Sequence, residues 1–184
     1  IGLAMYIKLL NESVKEKIEG KELEEKLIEP NMSLCIDAYI PDQFAKEEDK
    51  IELYQEIMAA SSLDSLAKLK TKIKDQYGSI PNSVDLLFTK REIDILKNEA
   101  DIYSLKEMPK FFEIYLGDSY LTIKGIGNIL FEALIPFLKY AKISYSNHKF
   151  KIILTKRSSW MKDLHKLLTT LNNISNVSLI GRVA

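Results

Sequence analysis

A chain of 184 residues, 46% of them hydrophobic, suffices for one folded domain, with or without a small appendage. Lys and Arg number 26 and Asp and Glu 26, so no global basic field draws the chain to nucleic acid. The single cysteine, Cys35, excludes an internal disulfide and fits a reducing cytoplasm, and no apolar run reaches the length of a membrane span.

The neutral total conceals an asymmetry. Residues 1–60 hold 7 Lys and Arg against 14 Asp and Glu, whereas residues 111–184 hold 10 against 4. An acidic front and a basic rear either neutralise each other in the fold or face two partners. Neutralisation is the simpler account. Ile1-Gly2-Leu3 runs straight into a helical pattern without an initiator Met and without a leader, which reads as a domain of a longer protein.

In chain order, Leu3, Tyr6, Leu10, Val14 and Ile18 keep helical spacing, and Gly20 is a plausible stop. A charged linker or short helix follows to Pro30. Met32–Ile40 reads as a short strand with Leu34, Ile36 and Ala38 on one face, broken by Pro41, with Asp42 turning the backbone. The spacing predicts a helix over 46–60, with Ile51, Tyr54 and Met58 as its stripe and Leu53 and Ile57 beside it. Ser61 is the expected cap of a third helix over 63–77, with Asp64 near its orphan amides, and Gly78 ends it. Pro81 opens a fourth, to Glu99, apolar at Val84, Leu87, Phe88, Ile95 and Leu96.

After Ala100 the period changes. Residues 102–106, 111–116 and 120–124 read as strands, with Gly117-Asp118 as a hairpin turn. A helix over 129–140 is kinked or shortened by Pro136. Strands at 142–145 and 150–154 flank an Asn147-His148 turn. A helix over 158–171 follows, and the tail from Ile174 is a last strand or frays. The fold class is α/β in the α+β sense: a helical half with one short strand over 1–100, then a small mixed sheet with two or three helices over 101–184. The residues alone leave open one core or two packed subdomains.

No phosphate-cradling loop is present. Lys124-Gly-Ile-Gly127 lacks the third glycine and the following Lys, and reads as a turn into a helix. His148, His165 and Cys35 have no partners at metal-ligand spacing. The carboxylates at 47, 48, 49, 52 and 56 read as a solvated face, or next as a docking face for a basic partner. Lys149, Lys151, Lys156, Arg157, Lys162 and Lys166, interleaved with Tyr145, Phe150 and Trp160, could touch phosphates. The plainer account keeps the aromatic rings in the core and leaves the lysines as solubilising charge.

Three segments occur in a specific order: Gly2-Leu-Ala-Met-Tyr6, then Asp37-Ala-Tyr-Ile-Pro-Asp42 with the helix Lys50-Ile-Glu-Leu-Tyr54, then Asp75-Gln-Tyr-Gly-Ser-Ile-Pro81. In order and spacing they resemble the C-terminal domain of the bacterial transcription-repair coupling factor (TRCF, Mfd) family. The likeness covers about residues 1–100, while 101–184 agrees only in its pattern of elements. It implies a parent protein that is an ATP-driven DNA translocase, acts on stalled RNA polymerase and double-stranded DNA, and recruits UvrA. Its ATP and magnesium belong to a motor lying outside this chain, so this domain carries no cofactor and no catalysis. It further implies docking on the parent's own UvrB-like module, in the cytoplasm and without a membrane. The resemblance places the interdomain contact at Lys72, Asp75 and Gln76. Family members often carry acids at the first two of these and a base at the third, so Lys72 and Gln76 depart from the pattern and Asp75 keeps it. Tyr39, Pro41, Asp42, Tyr77, Gly78 and Pro81 belong to the structural part of the motif, and Tyr39, Tyr54 and Tyr77 are expected at core edges. The competing expectation is an accessory nucleic-acid-binding module that uses the basic last third.

Overall fold

Helix ends set the layout of the first half, because each must satisfy amides or carbonyls that the helix itself leaves unpaired. The computed structural model describes residues 34, 36 and 38–183, the last seven by backbone alone. Within it, α1 is Glu47–Ala59, α2 is Leu63–Tyr77 and α3 is Asn82–Glu99. The Ser62 hydroxyl accepts from the Ser65 amide at 3.1 Å, and the Ser65 hydroxyl oxygen accepts from the Ser62 amide at 3.2 Å. This reciprocal box makes Ser62, not Ser61, the cap of α2. At the other end Gly78 adopts φ +88° and ψ −151° and donates its amide to the Lys74 carbonyl at 2.9 Å. An added Cβ there meets nothing within 4 Å, so any penalty comes from backbone strain alone. Gly78→Ala is therefore expected to cost about 1–3 kcal/mol. A lowered denaturant midpoint with an unchanged slope would register this; an unchanged midpoint would contradict it.

The described residues fall into two compact units, one within Cys35–Asn98 and the other running on from Glu99, with Leu34 grouped with the latter. The first unit is built around Leu53 and Ile57 of α1, Leu66 and Ile73 of α2, and Val84, Phe88 and Ile95 of α3, with Ile40 and Ala45 ahead of them. The Arg91 guanidinium donates twice to the Ala60 carbonyl, at 3.1 and 2.9 Å, and so closes the C-terminal end of α1. Two expectations change here. The described part of the 32–40 segment has no strand pairing; instead the Ile40 amide donates to the Tyr54 hydroxyl at 2.9 Å. A strand needs a ladder partner, and this amide is taken by a side chain. On α1, Leu53 and Ile57 are buried, whereas Ile51 and Met58 face solvent. The expected first helix and the linker after it lie outside the described residues.

In the second unit, β1 (Ile102–Glu107), β2 (Phe111–Leu116), β3 (Ala141–Ser146) and β4 (Lys149–Thr155) form one sheet in the order β1-β2-β4-β3. Every pairing is antiparallel. Between β2 and β3 lies α4 (Ile126–Leu134), and α5 (Trp160–Val183) closes the chain. The period of two puts Phe112, Ile114 and Leu116 on one face with Phe150, Ile152 and Leu154, all fully buried. Leu164, Leu167, Leu168 and Leu171 of α5 are buried as well, at helical spacing. The β3–β4 connection is a two-residue turn with φ 53° at Asn147 and 61° at His148, the positive pair such tight hairpins need.

Residues 118–122 form a 3-10 turn rather than the expected strand. A strand there would need an edge of β2, and both edges are already held by β1 and β4. Tyr120 is instead buried, with its hydroxyl donating to the carbonyls of Ala100 and Leu171. Gly117 lets this turn close. Its amide donates to the Asp101 carbonyl at 2.8 Å, and a Cβ there would collide with the Asp101 carboxylate. The helix expected over 129–140 begins earlier, at Ile126, after Gly125 in a left-handed conformation, and Pro136 sits in a 3-10 turn over Ile135–Phe137. The tail from Ile174 continues α5 as helix to Val183 instead of forming a strand.

Candidate docking surface

Positions 72, 75 and 76 stand three and four apart on α2, so one helix face presents all three. Lys72, Asp75 and Gln76 are indeed exposed, while Ile73 between them is buried. The Lys72 ammonium lies 3.7 Å from the Glu56 carboxylate of α1. That pair links the expected contact face to the acidic outer side of α1. Beside it the Tyr77 ring packs on Phe44 with centroids 5.2 Å apart. Burial, then the charges of Asp49, Glu52 and Glu56, pushes the Tyr77 phenol up from its ordinary value. These carboxylates of α1 thus lie close to the α2 end that carries the expected contact residues.

The remaining motif residues shape the backbone. The Pro41 carbonyl accepts from the Phe44 amide at 3.0 Å, and Asp42 pairs with Lys50. The Lys50 ammonium, through its hydrogen bond and its charge, holds the Asp42 carboxyl below the usual range. The Pro81 carbonyl accepts from Val84 and Asp85 at 3.1 and 3.0 Å, starting α3. Asp75-Gln-Tyr-Gly-Ser-Ile-Pro81 is thus a helix end, a glycine stop and the next helix start. Tyr54 and Tyr77 are half-buried, as a core edge requires, but Tyr39 is 53% exposed.

The basic rear is arranged differently from a phosphate-binding groove. The ammonium of Lys149 lies 2.8 Å from Asp118 and that of Lys151 3.7 Å from Glu113; Lys156 pairs with Glu107. Arg157 donates to Asp163 through two nitrogens, at 3.0 and 2.8 Å. The rings are occupied as well. Lys149 sits 4.1 Å over Tyr103, and Arg157 3.7 Å over Tyr140. Phe150 is buried against Tyr145 and offers no face for a base to stack on, while the half-buried Trp160 packs 5.1 Å from Phe112 and has Lys156 5.5 Å over its ring.

Asp163 is itself buried. Its carboxyl is held below the usual range by the Arg157 hydrogen bonds, against the opposing effect of burial. The stability this provides is present above the unfolded carboxyl value of about 3.9 and is lost as pH falls through the depressed folded value. Asp163→Asn should therefore flatten the acid limb of the stability profile below about pH 4. An acid limb unchanged in that variant would contradict the assignment.

Among the described residues, no group of three or more His, Cys, Asp and Glu could hold a metal ion, and no helix is long and apolar enough to cross a membrane. His148 lies in the hairpin turn and His165 in α5, while Cys35 falls outside the described residues. The exposed apolar pair on α1, Ile51 and Met58, was visible in the sequence only as a core stripe.

Residues 34–122 match the TRCF domain. The transcription-repair-coupling factor of Staphylococcus aureus (strain USA300) is 29% identical over 97% of this chain, and that of Staphylococcus haemolyticus (strain JCSC1435) is 28% identical over 93%. The chain spans about 15% of the length of these relatives. A solved C-terminal domain of transcription-repair coupling factor shares the fold, with a TM-score of 0.63 and 18% identity, covering 81% of this chain and 96% of that one. The class defined by helical unit, sheet unit and motif is thus an α+β domain, similar over residues 34–122 to the TRCF domain. At 18% identity the solved domain bears on the fold alone, while the curated relatives are similar along nearly the whole chain.

Proposed function

We propose that this chain is a non-catalytic regulatory domain that docks on the UvrB-like module of its parent protein. Docked, it covers the parent's UvrA-binding surface and restrains an ATP-driven DNA translocase. Engagement of stalled RNA polymerase on double-stranded DNA shifts the population to the undocked state and releases both activities. ATP and magnesium serve the parent's motor in the cytoplasm, and this domain holds neither.

The observation that carries the reading is the alignment of nearly the whole chain with a small fraction of much longer transcription-repair-coupling factors, in the fold of their C-terminal domain. The exposed polar face of α2 supports it, because a latch that must open is better built from a modest charged contact than from a large apolar one. Asp75 is the family acid retained on that face. Lys72 brings a positive charge, which the Glu56 carboxylate beside it balances. The nucleic-acid reading has less support, since carboxylates accompany Lys149, Lys151, Lys156 and Arg157.

Deleting residues 34–184 from the parent tests the proposal. UvrA capture by the parent is expected to tighten by about 5–150-fold, the usual range of an interdomain coupling, and its ATP turnover to rise. Unchanged UvrA affinity together with unchanged turnover would sink the reading.

A further inference from the structure

An antiparallel sheet can leave one face to water, and residues in the middle of that face are then exposed. Here they are not. Opposite the buried Phe112, Ile114, Phe150 and Ile152, the outer face carries Ser104, Tyr115, Lys151 and Ser144 in one row across β1, β2, β4 and β3. Ser104 and Tyr115 are 3% and 7% exposed, as dry as core residues. At the other edge Ser144 and Lys142 face solvent. The dry half of the face is therefore over β1 and β2. Lys151 reaches over the Tyr115 ring, its ammonium 5.6 Å from the centroid. That accounts for part of the cover on Tyr115 but not for Ser104, a strand further on.

The helices of this unit lie on the other side. Helix α5 meets the inner face, where Trp160 packs on Phe112, and α4 packs against α5. Among the described elements of the unit, no helix is left for the outer face. We infer that the chain's own opening segment, residues 3–18, docks as a helix on the outer face of the sheet, over β1 and β2. The sheet then has helices on both faces, as a fully buried sheet requires. The lysine-rich face is thereby closed to outside partners, nucleic acid included.

Position, pattern and charge name that segment. Leu34, the first described residue, groups with the sheet unit, although the helical unit begins one residue later. The chain ahead of Leu34 therefore sets out from the sheet unit's side. It carries Leu3, Tyr6, Leu10, Val14 and Ile18 at helical spacing, an apolar stripe that needs a surface to cover. A helix over residues 3–18 is about 24 Å long at 1.5 Å per residue. The six-residue strands β1 and β2 are each about 20 Å long, so the lengths match. The charges favour the segment over a second copy of the chain. The outer face presents Lys106, Lys142, Lys149 and Lys151 against Glu113, and two such faces would repel each other. The first 33 residues hold 5 Lys against 7 Glu and bring no such repulsion.

The test uses the whole chain carrying a photo-reactive benzophenone amino acid in place of Lys106, exposed on the outer face of β1, or of Lys166, exposed on α5. Cross-links from position 106 to residues 3–18 of the same molecule, mapped by mass spectrometry, are the expected result, with none from position 166. Cross-links from position 106 to a second copy, or to anything other than residues 3–18, would overturn the placement, and so would their absence. Independently, tetranitromethane should nitrate Tyr115 slowly in the unaltered chain. In Leu10→Asp the reaction is expected to be at least about tenfold faster, because a carboxylate does not stay buried without a partner. Tyr120, fully buried on the inner side, should remain protected in both and so report that the core is intact. Nitration of Tyr115 as slow in Leu10→Asp as in the unaltered chain would also overturn the inference.

Discussion

Phe150→Ala is expected to destabilise the sheet unit by about 3–5 kcal/mol, a large share of the 5–15 kcal/mol that typically holds a domain together. Phe150 is fully buried on β4, one of the two inner strands. Its ring meets Tyr145 edge-on with centroids 5.4 Å apart, and Tyr145 is its register partner on β3. Truncation removes the ring from the middle of the sheet, where flanking strands on both sides limit collapse into the void. Phe150→Leu keeps most of the volume and should cost far less. Denaturant unfolding of the whole chain distinguishes the two. A Phe150→Ala variant as stable as the parent sequence would mean that the sheet's buried face is not the core of this unit.

Tyr120→Phe carries the second large effect, and it depends on pH. The Tyr120 hydroxyl is buried and serves the Ala100 and Leu171 carbonyls, so its removal leaves buried acceptors short of a donor. The expected cost near neutral pH is about 1–3 kcal/mol. Burial, with the Asp101 charge added, pushes the Tyr120 phenol well above its ordinary value. Tyr115 is pushed up to about 12, by burial and then by Glu113. In the unfolded chain both phenols ionise near pH 10. Stability from these groups is fully present below that value. It falls as pH rises from there through the folded values, because the unfolded chain releases protons that the folded chain keeps. Tyr120→Phe should therefore lower stability at pH 7 yet make the alkaline limb shallower, by about 1.4 kcal/mol per pH unit for the proton removed. An alkaline limb of unchanged slope would contradict the assignment.

The elements legible in the sequence are those whose ends are written in local chemistry. Helix α2 runs from Leu63 to Tyr77 as its spacing and Gly78 require, and the Asn147-His148 hairpin follows from two adjacent residues that tolerate positive φ. The misreadings have a common physical origin in tertiary competition. Tyr120, Thr122 and Lys124 alternate as a strand would, but nothing local records that β4 crosses back to take the free edge of β2. On α1 the period offers two stripes equally, and only packing selects Leu53 and Ile57 over Ile51 and Met58. Ile174 and the residues after it have the composition of a strand, yet they extend α5 helically from a leucine-rich face already buried.

The candidate surface was less legible than the fold. Lys72, Asp75 and Gln76 carry no pattern that sets them apart from other exposed helix residues, and they came from family likeness rather than from chemistry. What the structure adds is neighbourhood. The Lys72–Glu56 pair joins that face to the acids of α1, and the unused apolar stripe lies on the same helix. For the basic rear, sequence showed the cations but not the partners. Glu107, Glu113, Asp118 and Asp163 are spread over 57 positions of sequence and meet Lys156, Lys151, Lys149 and Arg157 only in the folded chain.

The most direct test of the docking account is calorimetric titration of this chain with the separately expressed UvrB-like module of its parent, at low and moderate salt, beside an Asp75→Lys variant. The account predicts saturable binding that weakens as salt rises and is lost in the variant, because the contact is charged and Asp75 lies on it. Binding indifferent to both salt and Asp75→Lys would contradict it.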